Sequence, residues 1–428
     1  MIELGILADD LTGGMMVASL LEREGVNCPL VTSVEELESV ANLNATAVVV
    51  ARKIRLIPAE DSRKEAIKTV QALKSIGCKR FYYKYCATFD STPQGNIGPI
   101  AEAMMEQLNA SQTIFCPAFP EYTVTIFQGR MFLGNTLLGE SFKKNDPVTP
   151  MTNSNLVEVL ASQTSKKVGL ISHSLLLKGK ENIDTHLNTL DSTPFLIADA
   201  ADDIDLERIA ELTLDWPLTT GADALPIFLA RAWQNHGNAP ERQPKRLLSP
   251  SPGGEAFIAG SCAGATLRQV EFFEKIHPVF RIDLIEAKDD PQYVSKIITW
   301  AKQELGNGPV AVSSSADLDE LSRTQKALGV DGAANLADKI LGEVAVKLFD
   351  LGVRKFVVAG GETSGQVMNS LKIKKVEVSS FDELSGGYCH QMTPTPTSFV
   401  LKAGAIGKED FFFDAIKRMR QAEIEHQP

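Results

Sequence analysis

The chain has 428 residues, 44% of them hydrophobic and 23% charged, and its formal net charge is −11. This length suits two domains better than one compact core, and the composition is that of an ordinary globular protein. The acidic balance argues against nucleic acid or an anionic membrane as the main partner, whereas a small anionic substrate needs only a local basic pocket.

Short β-rich runs alternate with helical patterns along most of the chain, which predicts βαβ units and mainly parallel sheets. Strands are predicted around Leu4, Val49, Phe115, Val168, Ile258, Val312 and Val357. Helices are predicted over Met15–Arg23, Asp61–Ile76, Ile97–Leu108, Ser154–Gln163, Gly264–Lys275, Pro291–Leu305 and Ala334–Leu351. The expected fold class is therefore α/β, with sheets flanked by helices.

The first predicted strand runs into the segment LGILADDLTGGMM, residues 4–16, in which Asp9 and Asp10 precede Thr12 and two glycines. Because ligands bind beyond the carboxyl ends of parallel strands, an acidic pair at this point favours a functional site. The alternative is that Asp10 only caps the helix that follows.

A dense polar cluster lies in YKYCATFDSTPQGNIG, residues 83–98. Lys84 can neutralise a carboxylate, while Asp90, Ser91 and Asn96 offer an acid, a hydroxyl and an amide. This set of side chains suits a small polyhydroxylated acid. The alternative is an exposed turn that Asp90 caps.

Two arginines of the first half are candidates for bidentate recognition of a carboxylate. Arg52 lies in VARKIR, and Arg130 follows Gly129 in FCPAFPEYTVTIFQGRMF. Each is also explained as a surface charge.

The segment HGNAPERQPKRLLSPSPGG, residues 236–254, contains four prolines and three glycines and has little apolar content. This is the composition of a linker. We therefore predict one domain over residues 1–236, a linker over 237–254 and a second domain over 255–428.

A glycine turn in the second half, VVAGGETSGQVM at residues 357–368, follows an apolar run. Gly360 and Gly361 can adopt backbone angles that strain other residues, and Thr363 or Ser364 can cap a helix that Gln366 begins. A helix amino terminus of this kind binds anions such as phosphate. A plain strand-to-helix loop is the alternative.

Two further turns in this half have a similar character. AGSCAGATLRQV, residues 259–270, again passes from a strand through small polar residues into a helix, and VLKAGAIGKEDFF, residues 400–412, places Lys402 beside Gly404. Three such turns favour a nucleotide site. None is a Walker A loop or a G-x-G-x-x-G fingerprint, which argues against a dinucleotide-dependent dehydrogenase.

The six cysteines are irregularly spaced without a C-x-x-C pair, which argues against a zinc site or a disulfide framework. The six histidines have no metal-ligand spacing, so we predict no metal site built from protein ligands alone. No apolar run reaches membrane-spanning length, and no signal-like apolar stretch precedes the first acids. These features favour a cytoplasmic protein without a membrane partner.

Together, LADDLTGG, YKYCATFDSTPQGNIGP, GSCAGATLRQ, GGETSGQV and LKAGAIGKEDFF resemble motifs of the four-carbon acid sugar kinases. The likeness covers nearly the whole chain and is nearest to the 3-oxo-tetronate kinase branch. It implies a substrate domain and a nucleotide domain with the active site in the cleft between them. It also implies ATP and Mg²⁺ as cofactors, and an acid such as 3-oxo-tetronate, threonate or erythronate as substrate. A homodimer is compatible with this expectation.

The residue patterns above and the resemblance together predict roles for individual residues. Catalysis is assigned to Asp10, with Asp90 as the alternative base. The expected substrate-binding residues are Asp9, Thr12, Arg52, Lys84, Ser91, Asn96 and Arg130. The expected nucleotide-binding residues are Ser261, Gly360, Gly361, Glu362, Thr363, Ser364, Lys402 and Gly404.

The chain departs from the family pattern at four places, two of which are the segments TTGADALPIF near Gly221, where G-G-S-G is expected, and SGGYCH around Gly386, where P-G-V-P is expected. Met16 replaces an acid that usually follows the first motif, and Ala405 replaces an asparagine of the last one. The alternative function is therefore a protein on the same scaffold that binds a nucleotide or an organic acid without catalysis.

Overall fold

A computed structural model describes residues 2–40, 43–146, 148–189, 193–237, 243, 246–381 and 387–425. The chain divides into two compact units, Met1–Lys245 and Arg246–Pro428. Each unit is an α/β domain with a mainly parallel sheet flanked by helices, so the predicted fold class is confirmed. Residues 238–242 and 244–245 of the predicted linker lie outside the described residues.

Among its described residues, the N-terminal unit has eight parallel strands in the order β2-β3-β1-β4-β11-β5-β10-β9. Their bounds are β1 Leu4–Ala8, β2 Leu30–Val31, β3 Ala47–Ala51, β4 Arg80–Lys84, β5 Thr113–Cys116, β9 Val168–Ile171, β10 Phe195–Ala198 and β11 Leu218–Gly221. A separate antiparallel sheet follows β5 and contains β6 Val124–Phe127, β7 Arg130–Leu133 and β8 Thr136–Leu137.

Helices connect these strands because each parallel pair needs a crossover. They are α1 Leu11–Arg23, α2 Leu37–Val40, α3 Ala59–Ser75, α4 Ile97–Leu108, α5 Leu156–Ala161, α6 His173–Leu176, α7 Lys180–Thr189, α8 Asp203–Thr213 and α9 Leu225–Asn235. Strands β1 and β3 are buried along their whole length, as their apolar sequences LGILA and AVVVA require of strands covered on both faces.

In the described part of the C-terminal unit, seven strands form a sheet in the order β13-β14-β12-β15-β18-β17-β16. Their bounds are β12 Gly254–Ala259, β13 Val279–Arg281, β14 Val310–Ser313, β15 Val353–Ala359, β16 Lys375–Val378, β17 Gly387–Gln391 and β18 Thr397–Lys402. The first five in this order are parallel, whereas β17 and β16 run antiparallel to their neighbours.

The helices of this unit are α10 Gly264–Glu274, α11 Leu284–Asp289, α12 Tyr293–Glu304, α13 Leu318–Leu328, α14 Val330–Asp350, α15 Gly361–Ser370 and α16 Phe411–Glu425. An aromatic cluster holds α10 and α16 against the sheet, since Phe257 of β12 stacks on Phe412 and meets Phe273 edge-on. All three rings are buried in the core of the unit.

The two units share one topological feature. In each sheet the chain first crosses from a central strand to one flank and then returns to the other side of that strand, giving the orders 2-3-1-4 and 13-14-12-15. The connections therefore diverge between β1 and β4, and again between β12 and β15. Open α/β sheets bind ligands at such switch points, beyond the carboxyl ends of the strands.

The predicted helix start at Gln366 is wrong. Helix α15 begins at Gly361, five residues earlier, because Gly360 has a φ of 124° and turns the chain directly from β15 into the helix. Neither Thr363 nor Ser364 caps this helix; the Ser364 hydroxyl instead donates to the Gly360 carbonyl at 2.7 Å. A glycine at that φ makes a separate side-chain cap unnecessary for the turn.

Candidate functional site

Acidic and basic side chains meet at the switch point of the N-terminal sheet. Ala8 at the end of β1 lies in register with Lys84 at the end of β4, and the next residue, Asp9, donates its backbone N–H to the Lys84 carbonyl. Strand β11 pairs with β4 on its other side, so the loop after Gly221 brings Asp223 to the same edge.

Arg55 joins the two aspartates that follow β1. Its Nε and Nη2 atoms donate to the two carboxylate oxygens of Asp9 at 2.9 and 2.8 Å, and Nη2 also lies 2.7 Å from Asp10 Oδ2. The paired geometry matches the planar fork of a guanidinium to a carboxylate. Arg55 thus fixes the orientation of both acids. The side chain of Asp9 is buried, with 2% of its surface exposed.

Asp10 is also the N-cap of α1. Its Oδ1 accepts the backbone N–H of Gly13 at 2.6 Å, so Asp10 does cap the helix, as the alternative interpretation predicted. It also pairs with Arg55, which a cap does not require. A Cβ atom at Gly13 would lie 2.6 Å from Asp10 Oδ1 and 2.8 Å from Lys84 Nζ. Only glycine allows the helix to approach these two groups so closely.

Lys84 is buried, with 2% of its side chain exposed, and carries its ammonium group into the cluster. The Nζ atom donates to the Tyr85 carbonyl at 2.6 Å and lies 3.3 Å from Asp223 Oδ1. That carboxylate oxygen has no well-directed hydrogen bond within the described structure. Three carboxylates therefore share two cations at this point.

The protonation of the cluster follows from burial and from these charges. Burial alone would raise the pKa of Asp10, but the charges of Arg55 and Lys84 outweigh it and hold that pKa below its usual value. Burial raises the pKa of Asp9 and of Asp223 in spite of their cationic partners. Burial would lower the pKa of Lys84, yet the Asp223 and Asp10 carboxylates raise it. Asp10 is thus the acid held most firmly in its ionised form.

Asn96 positions the loop that carries Arg55. Its side-chain amide donates to the carbonyls of Ile54, Arg55 and Ile57 at 2.8, 3.2 and 2.7 Å. Three backbone bonds from one buried amide fix the loop between β3 and α3. Asn96 therefore reaches the cluster through the backbone of this loop.

Arg52 is directed elsewhere. Its guanidinium pairs with Glu65 of α3 and donates to the Thr32 carbonyl at 3.0 Å, whereas Arg55, three residues later, reaches Asp9 and Asp10. The arginine that contacts the two aspartates is therefore Arg55, whereas the sequence had indicated Arg52. Arg130 is exposed at the start of β7, where it donates to the Gln128 carbonyl at 3.3 Å.

Asp90 belongs to a second polar group of the same unit. Lys143 Nζ lies 2.7 Å from Asp90 Oδ2 and 2.7 Å from Asp146 Oδ2. Next to it, the Ser91 hydroxyl accepts from Gln163 Nε2 at 2.5 Å. Sequence reasoning missed Lys143, since it lies 53 residues from Asp90 and no local motif marks it.

Three glycine-containing turns converge at the carboxyl edge of the C-terminal sheet. They follow β12, β15 and β18, which are neighbours in the sheet. The Gly260 N–H donates to the Ala359 carbonyl at 3.1 Å, and the Gly360 N–H donates to the Lys402 carbonyl at 3.0 Å. The turns are thus linked to one another by backbone bonds.

The close packing of these turns explains their small residues. A Cβ atom at Gly404 would lie 1.8 Å from the Ser261 hydroxyl, and one at Gly260 would lie 2.1 Å from the Thr363 hydroxyl. Helices α10 and α15 begin directly beyond the first two turns, at Gly264 and Gly361. Two helix amino termini and flexible backbone suit a phosphate group.

Lys402, the last residue of β18, places a buried amine beside these turns. Its Nζ donates to the Thr266 hydroxyl at 3.3 Å and to the Gly404 carbonyl at 3.4 Å, and no carboxylate of the described residues pairs with it. Burial lowers the pKa of Lys402 to about 7. Glu362 lies in the exposed first turn of α15.

Two negative observations apply to the described part of the chain. It contains no group of three or more His, Cys, Asp or Glu side chains arranged to hold a metal ion. Nor does any of its helices combine the length and the apolar character needed to cross a membrane.

Comparisons with known proteins assign both units. A family model described as a sugar-binding N-terminal domain matches residues 4–227, and one described as a nucleotide-binding C-terminal domain matches residues 256–412. A 3-oxo-tetronate kinase of Burkholderia multivorans is 37% identical over 97% of both chains, and one of Pseudomonas savastanoi pv. phaseolicola is 36% identical over 98% of both. The chain belongs to the four-carbon acid sugar kinase family.

The predicted activity is therefore confirmed at the level of reaction type: this kinase is a phosphotransferase that acts on a hydroxyl of a sugar acid and uses ATP. A crystal structure of a Haemophilus influenzae protein is 31% identical, with a TM-score of 0.74, and covers 97% of this chain and 100% of the solved one. That likeness supports the α/β architecture described above.

The remaining predicted residues of the kinase have these positions. Thr12 lies in the first turn of α1, two residues after Asp10, and is partly exposed. Asp223 and Arg55 were not predicted. The signal for Asp223 was an acid two residues after the strand that ends at Gly221, the same pattern that drew attention to Asp9 and Asp10.

Exchange of Arg55 and Arg52 should separate their roles. We expect Arg55→Gln to lower the free energy of unfolding by about 2 kcal/mol, because it leaves the buried Asp9 carboxylate without its partner. Arg52→Gln removes a more exposed pair with Glu65 and should cost less than about 1 kcal/mol. Urea denaturation of both variants measures the difference. Equal losses would contradict the assignment of Arg55 to the cluster.

Proposed function

We propose that this kinase transfers the γ-phosphate of ATP to a hydroxyl of a four-carbon sugar acid, with 3-oxo-tetronate as the leading substrate and threonate and erythronate as related ones. The names of the relatives from Burkholderia and Pseudomonas support the choice. The observation that carries the proposal is the cluster of Asp9, Asp10, Arg55, Lys84 and Asp223 at the switch point of the N-terminal sheet.

In this proposal Asp10 is the general base. Phosphoryl transfer depends mainly on positioning and on neutralisation of charge, and the attacking hydroxyl must lose its proton. An ionised carboxylate at the end of β1, oriented by Arg55 and by the amide of Gly13, is suited to accept that proton. Asp90 is the alternative base, although its carboxylate is engaged by Lys143.

The substrate carboxylate needs a cation, and Arg55 is better placed than Arg52. Among the described residues, Arg55 bonds to the two aspartates through Nε and Nη2, so its Nη1 group keeps two N–H donors for a ligand. Its side chain is 22% exposed, whereas that of Lys84 is 2% exposed. We therefore assign Arg55 to the carboxylate and Lys84 to the orientation of the acids. Thr12, Ser91 and Arg130 stay predicted contacts of the substrate.

The nucleotide would bind at the carboxyl edge of the C-terminal sheet. The backbone amide of Gly361 and those of the turn around Ser261 would hold phosphate oxygens, and Lys402 would supply a positive charge. Gly360 would shape the turn, since its own N–H donates to the Lys402 carbonyl. Thr363, Ser364 and Gly404 keep this backbone in its close-packed form.

A magnesium ion fits this site if phosphates supply most of its ligands. Mg²⁺ usually binds through substrate phosphates and one or two carboxylates, and the Glu362 carboxylate lies in the first turn of α15. The ion would neutralise charge on the phosphate oxygens. Neither Met16 nor Ala405 is one of the groups assigned here to the phosphates or to magnesium. Met16 lies partly exposed on α1, and Ala405 lies exposed in the turn after β18.

The proposal keeps the predicted domain division of 1–236 and 255–428, with a linker over 237–254. It also keeps the cytoplasm as the location and small molecules as the partners. The net charge of −11 supports the exclusion of nucleic acid and of anionic membranes.

A screen for ADP release tests the substrate. We expect turnover with 3-oxo-tetronate and at least tenfold lower kcat/KM with threitol, which has similar hydroxyls without the carboxylate that Arg55 would bind. Threonate and erythronate are compared under the same conditions. Equal rates with threitol would contradict an acid-binding role for the cluster, and absence of turnover with all three acids would reject the proposed substrate class.

A further inference from the structure

Three serines end strand β14, and two of them have unexplained side chains. Ser313 is the last strand residue, and Ser314 and Ser315 follow it with 8% and 6% exposure. Neither hydroxyl forms a hydrogen bond with any group of the described residues. A buried hydroxyl without a hydrogen-bond partner lowers the stability of the folded protein. Two such hydroxyls in succession therefore indicate a place where a ligand binds.

The backbone N–H groups of Ser314 and Ser315 are both hydrogen-bonded, so the groups without a partner are their side-chain hydroxyls. The Ser314 N–H donates to the Ala259 carbonyl at 2.9 Å, and the Ser315 N–H donates to the Ser313 hydroxyl at 3.1 Å. Ala259 is the last residue of β12, directly before the turn of Gly260 and Ser261. The two hydroxyls therefore lie at the same sheet edge as the proposed nucleotide site.

The order of the strands indicates which part of the nucleotide they meet. The phosphate-binding features, namely the start of α15 and Lys402, lie on the side of β15 and β18, whereas β14 flanks β12 on the opposite side. Neighbouring strands are about 4.8 Å apart, so β14 and β18 are separated by roughly 14 Å. A nucleotide whose phosphates face β18 and whose nucleoside extends across β15 and β12 has its sugar near β14.

We propose that Ser314 and Ser315 bind the ribose hydroxyls of the nucleoside triphosphate and so select the sugar of the phosphate donor. This inference rests on the proposed nucleotide site of the C-terminal unit. Serine hydroxyls both donate and accept, which matches the 2′- and 3′-hydroxyls of a ribose. In the absence of nucleotide the protein carries two unsatisfied groups that substrate binding satisfies.

The double variant S314A/S315A tests this assignment with ATP and 2′,3′-dideoxyATP. We expect the KM for ATP to rise about tenfold, as the loss of two hydrogen bonds implies, with kcat unchanged. The KM for 2′,3′-dideoxyATP should change less than twofold. Without nucleotide, the variant should melt at the same or a higher temperature than the wild type. Ser322→Ala, at an exposed position of α13, is the matched control.

Each other outcome has a defined meaning. Equal rises in KM for both nucleotides would place the hydroxyls on the phosphates and overturn the ribose assignment. An unchanged KM for ATP would overturn it as well, and a lower melting temperature without nucleotide would assign the serines a structural role. Failure of the wild type to bind ATP would contradict the proposed nucleotide site itself. Equal binding of ATP by the wild type and the double variant would contradict only the assignment of the two serines to the ribose.

Discussion

Asp10→Asn is expected to lower kcat about 10³-fold while the melting temperature stays nearly unchanged. General base catalysis contributes about 10²- to 10⁴-fold, and an amide cannot accept the proton of the attacking hydroxyl. The effect should be on kcat rather than on the KM for ATP, because Asp10 lies in the N-terminal unit and the proposed nucleotide residues lie in the C-terminal one. Steady-state kinetics and thermal melting measure both parts.

The stability of this variant follows from the cap of α1. Asparagine caps helices about as well as aspartate, so the bond from the Gly13 amide is preserved. Arg55 keeps its two bonds to Asp9 and loses only the contact with Asp10. The substitution therefore keeps the cap of α1 and the pair of Arg55 with Asp9, and it removes one charged contact, that of Arg55 with Asp10.

A matched control exists in the same unit. Asp202 is the N-cap of α8, accepts the backbone N–H of Asp205 at 3.0 Å and is exposed. Asp202→Asn should leave both kcat and the melting temperature unchanged. Turnover of Asp10→Asn at the wild-type rate would exclude Asp10 as the base, and Asp90→Asn would then be the variant to measure.

The sequence was sufficient to predict those residues that follow strands directly. Asp9, Asp10 and Lys84 lie at or just beyond the carboxyl ends of β1 and β4, and their apolar strands are clear in the sequence. Parallel pairing brings such ends to one edge. The α/β class and the cluster of these three residues could therefore be predicted without coordinates.

Long-range contacts decided the rest. Arg52 and Arg55 lie in one loop, and the bonds that fix this loop, from the Asn96 amide and from the loop backbone to Ala8 and Asp9, determine which guanidinium reaches Asp9. Lys143 comes from a segment far along the chain. No periodicity or local motif encodes such tertiary contacts, which explains why the sequence indicated Arg52 and not Arg55, and why it did not indicate Lys143.

The second prediction concerns Lys402, whose two expected effects have opposite signs. Lys402→Met should lower kcat/KM at least about 10²-fold, because a cation that offsets phosphate charge is lost. The same substitution should raise the free energy of unfolding, because it removes a buried amine that no carboxylate of the described residues balances. Kinetic assays and urea denaturation at several pH values measure the two effects.

The pH dependence distinguishes this explanation from a general gain in packing. Burial lowers the pKa of Lys402 from 10.5 to about 7, so between these values the unfolded chain binds a proton that the folded protein does not. The wild-type stability therefore contains a contribution that rises with pH across this window. At about 1.4 kcal/mol per pKa unit, the advantage of Lys402→Met should be several kcal/mol at pH 6 and should vanish near pH 10.

Lys355 supplies the control with the opposite sign. It is equally buried in β15, but its Nζ lies 2.5 Å from Glu423 and 4.0 Å from Glu255. Lys355→Met leaves the Glu423 carboxylate without this cation, whereas Glu255 keeps Arg420, and the variant should be destabilised at neutral pH. If both variants were destabilised, burial of Lys402 without a partner would not carry the penalty inferred here. A stabilised but inactive Lys402→Met variant would mean that this buried amine is retained for phosphate binding at the expense of stability.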